Sequence, residues 1–392
     1  MFELSRARLS QFDLEKELEE PLLTDSKYHE KFVELFKTFQ QIYTVNQFVK
    51  DCPSYPGSTK GIIQREIVSS IGATLAIEGT ILKDEEIEES FKKADLQDKL
   101  KNEEQEAANT RTALRYITGT VDHCEGKFVY SEEQIKTIHK LITHNVESVS
   151  PNVPGQYRDT AARFGEPRRV SLCKNRVEIE AIMTKFIKWL NEEDSGLLTS
   201  NPIFKAMMAH YYLTEIHPFG DGNGRTSRAL EAFILYNNLR NPSCFSVLSQ
   251  FWNAHRNEYI INLGHIRNTL NPLDFLLFGA KGYLEELKRV KELVLKKVKQ
   301  LMLQDYVQWL LRKKRINPRV LNALLLLIRI GKIPFHDFLS AVKPIYANRK
   351  ERTRYRDFKT MEELELVRIT KENGQKYIEP NFGKLEKLEY AV

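Results

Sequence analysis

The spacing of apolar residues along the chain predicts a mainly helical protein. Phe32, Leu35, Phe36 and Phe39 recur at i, i+3, i+4 and i+7, which places an amphipathic helix over 26–50. A turn-rich break follows at 52–58, with two prolines and a glycine, and then a helix from Gly61 to Glu78 stopped by Gly79. Residues 83–106 are so dense in charge that they read as a solvated helical face. Ser131 and Gln134 form a capping box for a helix ending at Thr143. Arg176–Asn191, Pro202–Glu215 and Gly224–Asn238 are helices by the same pattern, and helices continue to about Leu311.

Two stretches depart from this rhythm. Residues 150–173 carry Pro151, Pro154, Gly155, Gly165 and Pro167, which suits turns or a short hairpin. From Asn317 the pattern gives helices over Arg319–Ile330, Phe335–Val342 and roughly Arg349–Glu363. Alternating strands from Leu366 and from Gln375 then flank an Asn373-Gly374 turn. Helix, helix, helix, hairpin is the order of a winged helix. The chain therefore divides into an N-terminal helical region (1–59), a main domain (60–280), linking helices (281–316) and a winged-helix domain (317–392).

Charge sharpens that division. The chain has 392 residues and a net charge of +6. The last 112 residues carry 26 Lys and Arg against 14 Asp and Glu, whereas the first 280 carry 33 against 39. The tail, not the body, is suited to a polyanion. The four cysteines, Cys52, Cys124, Cys173 and Cys244, form no CxxC pair, and free thiols in a reducing compartment are expected. The N-terminal sequence has no apolar stretch behind a basic one, and the most apolar run, Val320 to Ile330, is too short for a bilayer. A cytoplasmic protein without a membrane segment is the expectation.

The chemistry concentrates in His217-Pro-Phe-Gly-Asp-Gly-Asn-Gly-Arg-Thr-Ser-Arg228. Pro218 ends the preceding helix, and three glycines permit close backbone approach. The next helix begins with unpaired N–H groups, which attract an anion. Arg225 and Arg228 repel each other and oppose the helix dipole, so two local rules are broken in one turn. A missing polyphosphate explains both; the bland alternative pairs Arg228 with Glu231. With Thr226 and Ser227, residues 222–228 are the candidate phosphate site. His217 suits a general base, and Asp221 suits Mg²⁺.

This segment resembles the Fic family motif, H-x-F-x-[DE]-G-N-G-R-x-x-R, at every fixed position, and the resemblance extends over roughly 60–280. It implies a Fic-type helical core with a short β-hairpin flap, and transfer of AMP from ATP to a hydroxyl on a target protein. His217 would be the base, Phe219 a core anchor, and Asp221 the Mg²⁺ ligand. Gly222, Asn223 and Gly224 would form an anion nest with backbone and amide donors. Arg225 would bind phosphate and Arg228 the γ-phosphate. Pro154 to Arg158 followed by Asp159–Gly165 resembles the Fic flap, within about 154–170, with Ala162, Arg163, Phe164 and Gly165 clamping the target by strand pairing. Tyr259, in an R-x-x-Y pattern with Arg256, and Asn268 are the adenine-side candidates.

Thr74 and Glu78 share a helix face, and Glu78 sits against the dipole just before Gly79. Thr74-x-x-x-Glu78-Gly79 resembles the Fic inhibitory sequence, within the helix near 61–79, whose glutamate pairs with the second motif arginine, here Arg228. Relatives with this glutamate include some that also remove AMP, so that activity stays open. The basic helix Arg349–Lys359 carries six Lys and Arg in eleven positions and is the candidate DNA contact. The alternatives for it are packing within the chain or a homodimer. A DNA-binding regulator with a nucleotide-sensing core is the rival to the enzyme, and the target protein is not specified by the sequence.

Overall fold

The computed structural model describes residue 12 and residues 26–52, 59–148, 150–165, 169–192, 200–242 and 247–386. The break at 53–58, Pro167, Cys244 and most of the expected N-terminal region before residue 26 lie outside them. Two compact units divide between Lys291 and Glu292.

The first unit begins with α1 (Ser26–Asp51), α2 (Thr59–Ile77), α3 (Asp84–Asp95), α4 (Asn102–Asp122) and α5 (Glu132–Thr143). A hairpin of β1 (Arg163–Phe164) and β2 (Arg169–Val170) follows. Then come α6 (Arg176–Asn191), α7 (Pro202–Ile216), α8 (Asn223–Leu239), α9 (Val247–Ala254), α10 (Arg256–Thr269) and α11 (Leu273–Arg312), which runs through the division. Helix α7 is apolar almost all round, with Phe204, Met207, Met208, Tyr211 and Leu213 all buried, so it must be surrounded. Asn201 accepts from the Ile203 and Phe204 N–H groups, and Pro202 at the first helical position starts α7 sharply. It packs on α8, which in turn packs on α4 and α5. The motif loop thus joins the two most buried helices of the unit.

The run 83–106 is not a plain solvated face. Helices α3 and α4 pack on each other and on α2, so one side of each is covered. Ile87 and Ser90 turn inward, and Glu106 is buried. Helix α2 ends at Ile77, one residue before the expected end. Thr80 N–H donates to the Leu75 carbonyl at 3.1 Å and Gly79 N–H to Ala76 at 3.1 Å. That is a Schellman cap with Gly79 at φ +104° and Glu78 at the cap position.

The second unit takes the later part of α11, then α12 (Pro318–Ile330), β3 (Ile333–Pro334), α13 (Phe335–Ala341), a 3₁₀ turn (Lys343–Tyr346), α14 (Glu351–Glu363), β4 (Val367–Glu372), β5 (Gln375–Pro380) and α15 (Gly383–Glu386). The strand order is β3-β5-β4, all antiparallel, with Ile378 opposite both Ile333 and Ile369. Asn373 and Gly374 both take positive φ, as a two-residue hairpin turn requires. Strand β3 is unexpected, because two residues, one a proline, carry no alternation. Of the expected linking helices at 281–316, residues 281–312 are part of the single helix α11, and its Leu303, Val307 and Leu310 belong to this unit's core with Val320, Leu327 and Phe338. No helix among the described residues is long and apolar enough to cross a membrane. Cys52, Cys124 and Cys173 are free thiols.

Candidate active site

His217 closes α7 in a left-handed conformation, φ 50° and ψ 59°, not the extended one that Pro218 favours. Such a backbone persists only when its surroundings hold it. Arg158 supplies the hold. Its Nε donates to the His217 carbonyl at 2.7 Å, and its Nη2 donates to Cys173 at 2.9 Å and to Ile216 at 3.3 Å. Its backbone N–H donates to Pro218 at 3.0 Å. A buried cation on the last carbonyls of α7 also opposes the negative end of the helix dipole. The arginine expected at the start of the flap is therefore the clamp that sets the histidine.

The rest of the loop is pinned from beneath. Phe219 is fully buried and stacks on His139 at 3.7 Å. His139 Nδ1 accepts from Gly155 N–H at 2.9 Å, so Nε2 carries the proton and donates to the Asp221 carbonyl at 2.9 Å. Burial pushes His139 down to about 4, which keeps this tautomer neutral. Asn223 accepts from Phe219 N–H and donates to its carbonyl, both at 2.9 Å. The amide oxygen and one amide N–H are thus used within the loop. Thr226 and Ser227 are turned away: their hydroxyls donate to the Gly222 and Asn223 carbonyls at 2.8 and 2.9 Å inside α8. The rest of the nest is backbone. Gly222 takes φ +73° with Thr143 Cγ2 2.7 Å from where a Cβ would stand, and a Cβ on Gly224 would collide with the Glu78 carboxylate.

The hairpin lies against the histidine. Arg163 pairs with Val170 and Phe164 with Arg169, and the Ala162 carbonyl accepts from Ser171 N–H at 2.8 Å. Gly165 turns the chain at φ +80°. Phe164 stacks on His217, centroids 3.9 Å apart and rings within 8°. From α10, Arg267 ties the hairpin down, donating to the Val170 carbonyl at 3.3 Å while pairing with buried Glu215 at 3.1 Å. Burial pushes His217 down to about 4; the Thr214 carbonyl opposes this and Arg158 adds to it. With Nδ1 facing that carbonyl at 3.4 Å, Nε2 keeps its lone pair. The ring is a neutral base at physiological pH.

Both arginines are already occupied. Arg228 Nη2 donates to Glu78 Oε1 at 2.6 Å and to the Thr74 carbonyl at 3.1 Å, and its Nε donates to the Thr74 hydroxyl at 2.7 Å. Burial works against the Glu78 charge, but Arg228 outweighs it and holds the carboxyl below its ordinary range. Arg225 pairs with buried Glu106 and lies 3.7 Å from Asp221. Glu231 is not a partner of Arg228; it sits with His210 at 3.2 Å and Trp252 at 3.2 Å. Tyr259 is buried, bonded to His210 at 2.8 Å and to Arg228. It is a hydrogen-bond partner of the arginine. Its motif partner Arg256 donates to the Ile77 carbonyl at 3.0 Å, capping α2 beside Glu78. Asn268 is exposed on α10, one residue past Arg267.

Among the described residues no three or more His, Cys, Asp or Glu cluster to hold a metal. Asp221 nevertheless fits Mg²⁺. Its Oδ1 accepts from Gly222 N–H at 2.7 Å and its Oδ2 from Ser148 at 2.8 Å, and 39% of the side chain is exposed beside the start of α8. A single carboxylate sharing the ion with phosphates is the usual Mg²⁺ arrangement.

Comparison with known proteins finds a family match over the stretch that holds this loop. A profile of the Fic/DOC family matches residues 129–235. Protein adenylyltransferase Fic of Culex quinquefasciatus is 33% identical over 129 residues, which is 33% of this chain and 24% of that protein. Protein adenylyltransferase fic-1 of Caenorhabditis elegans is 30% identical over 179 residues, 46% of this chain and 32% of that one. The match thus spans a quarter to a third of these relatives. A solved Fic family protein from Desulfovibrio desulfuricans G20 superposes with a TM-score of 0.55 at 17% identity, covering 89% of this chain and 95% of that one. Fic-1 of C. elegans superposes at 0.53 with 22% identity, covering 69% and 76%. Those structures share the fold. Residues 129–235, which contain the loop together with His139, Arg158 and Phe219, match the Fic/DOC family.

Proposed function

We propose that this Fic domain transfers AMP from ATP to a Ser, Thr or Tyr hydroxyl of a protein, and that Glu78 restrains it. The observation that carries the reading is the pairing of Glu78 with Arg228 beside a histidine that burial keeps neutral. The relatives' names support the reaction class.

The target hydroxyl oxygen forms a bond to the α-phosphorus, the bond from that phosphorus to the bridging oxygen of the β-phosphate breaks, and pyrophosphate leaves. His217 Nε2 takes the hydroxyl proton. Arg225 and the N–H groups at the start of α8 neutralise phosphate charge, and Arg228 binds the γ-phosphate once Glu78 leaves it. Asp221 would hold Mg²⁺, whose charge would offset that of the phosphates. The hairpin edge at Ala162–Phe164 positions the target by main-chain pairing, which demands register but little sequence. Holding such an enzyme about 99% inhibited takes only about 2.7 kcal/mol, within reach of one well-placed charge-assisted contact. A reducing cytoplasm fits both ATP chemistry and the free thiols.

The test is mass spectrometry of the Glu78→Gly protein incubated with ATP, Mg²⁺ and cell lysate. AMP should appear on this chain or on a target at least tenfold above wild type, and His217→Ala in the same background should abolish it. A phosphate adduct, or no rise over wild type, overturns the reading. AMP removal is read in the same samples, as loss of the adduct with wild type but not with Glu78→Gly.

A second reading concerns the other unit. We read its helix and hairpin order as a winged helix with α14 as the recognition helix. Arg352, Tyr355, Arg356 and Lys359 stand exposed along α14, and Arg352 and Arg356 have no ion pair among the described residues. That face suits duplex DNA.

A further inference from the structure

We infer that Thr80 and Glu106 form a second arm of the restraint, tying the turn that carries Glu78 to the arginine that Glu78 does not touch. This deepens the adenylyl-transfer reading and rests on it. Neither residue belongs to the inhibitory motif or to the Fic loop.

The geometry is a closed chain of contacts. Glu106 is buried on α4, with one carboxylate oxygen paired to Arg225 Nη1. Its other oxygen accepts from the Thr80 hydroxyl at 2.7 Å. Thr80 N–H donates to Leu75, so Thr80 belongs to the Schellman turn whose cap residue is Glu78. Glu78 then pairs with Arg228, one helical turn beyond Arg225 on α8. The path runs Arg225, Glu106, Thr80, Glu78, Arg228, and each link is a hydrogen bond, an ion pair or two residues of one turn.

The physical argument is one of anchoring. Glu78 keeps 39% of its side chain exposed and holds Arg228 through a single oxygen, Oε1, so the pair depends on where the turn places it. Glu106 is only 9% exposed, and separating a buried carboxylate from its arginine is costly, so Glu106 is fixed. A fixed acceptor makes the Thr80 hydroxyl an anchor for the last turn of α2. Movement of that turn, taking Glu78 off Arg228, would break the Thr80–Glu106 bond as well, so the bond opposes it. The same arrangement leaves the two cradle arginines facing three carboxylates, Glu78, Glu106 and Asp221. The restrained cradle therefore carries no surplus positive charge to draw in a polyphosphate. Thr80 is a positioning residue in this scheme and touches no substrate.

The test is a double-mutant cycle on the full chain with two readouts, the initial rate of AMP transfer from radiolabelled ATP and the dissociation constant of ATP by calorimetry. Thr80→Val, which keeps the shape and removes the hydroxyl, should raise the rate and tighten ATP about fivefold. Thr80→Ser, which restores the hydroxyl, should return both to wild type. In the Glu78→Gly background Thr80→Val should change neither by more than about 1.5-fold, because no clasp is left to anchor. A Thr80→Val protein equal to wild type in ATP affinity overturns the inference, and so does an equal gain in the Glu78→Gly background. If no variant transfers AMP, Glu78→Gly included, the adenylyl-transfer reading fails by itself; the ATP-affinity cycle still decides the coupling.

Discussion

A histidine whose protonated form is disfavoured by burial is a base over a wider pH range than a solvated one. His217 lies about at 4, against an ordinary value of 6.5, with burial as the main cause. The sign follows directly: the neutral ring is lost only as the pH falls through the lowered value. The proposed transfer by the Glu78→Gly protein should therefore stay flat from about pH 8 to about pH 5.5 and decline only as the pH approaches about 4. A kcat/KM profile with its acid limb near 6.5 would contradict the burial of the base. The residues around it show how far composition reaches. His217, Asp221, Arg225, Arg228 and Glu78 were legible because each breaks a local rule or completes a spacing. Glu106 was not, because in a run of charged residues nothing marks the one that turns inward. His139 gave a fainter signal, a lone imidazole beside Ile135, Ile138 and Ile142 on an apolar face, but its partner is eighty-two residues away.

At the scale of elements, the site depends on helix ends. Helix α7 ends in a left-handed histidine, α8 starts at a left-handed glycine, and α2 stops at a Schellman turn that presents Glu78. Arg158 holds the end of α7 and Arg256 the end of α2, each from another part of the chain. The clearest case is Arg158, whose guanidinium joins the carbonyls of Ile216, His217, Cys173 and Thr160. Lysine offers a point charge with no fixed fork and cannot reproduce that set. Arg158→Ala in the Glu78→Gly background should lower AMP transfer about tenfold or more by loosening His217, and Arg158→Lys should fail to restore it. Full activity in the lysine variant, measured at equal folded fraction, would show that the fork is not needed. Helix positions were readable from periodicity because their apolar stripes are long. Strand β3 was not, since its two residues become a strand only by pairing with β5.

At the scale of the whole chain, the charge of +6 is a partition between two units with different surfaces. In the first unit, positive charge at the phosphate cradle is local and already matched by carboxylates. In the second it is spread over an exposed helix, where the proposal of a DNA contact can be tested by salt. Phosphate contacts release counterions, so log affinity for duplex DNA should fall linearly with log salt. Replacing Arg352 and Arg356 by alanine together should reduce that slope by about two. Absence of binding at about 50 mM salt, or a slope unchanged in the double variant, would remove the proposal.

The sequence by itself determined the helical periodicity, the glycine-rich loop, the position of its histidine and arginines, and the helix that bears Glu78. These are local patterns, written in spacing and in breaches of capping and dipole rules. Only the tertiary structure decided what each polar group does. It bonded Asn223, Thr226 and Ser227 within the loop and helix, made Tyr259 a partner of Arg228, and made Arg158 the clamp on His217. Burial is the reason: a polar group taken from water must find a partner, and which partner is within reach depends on how helices far apart in sequence pack.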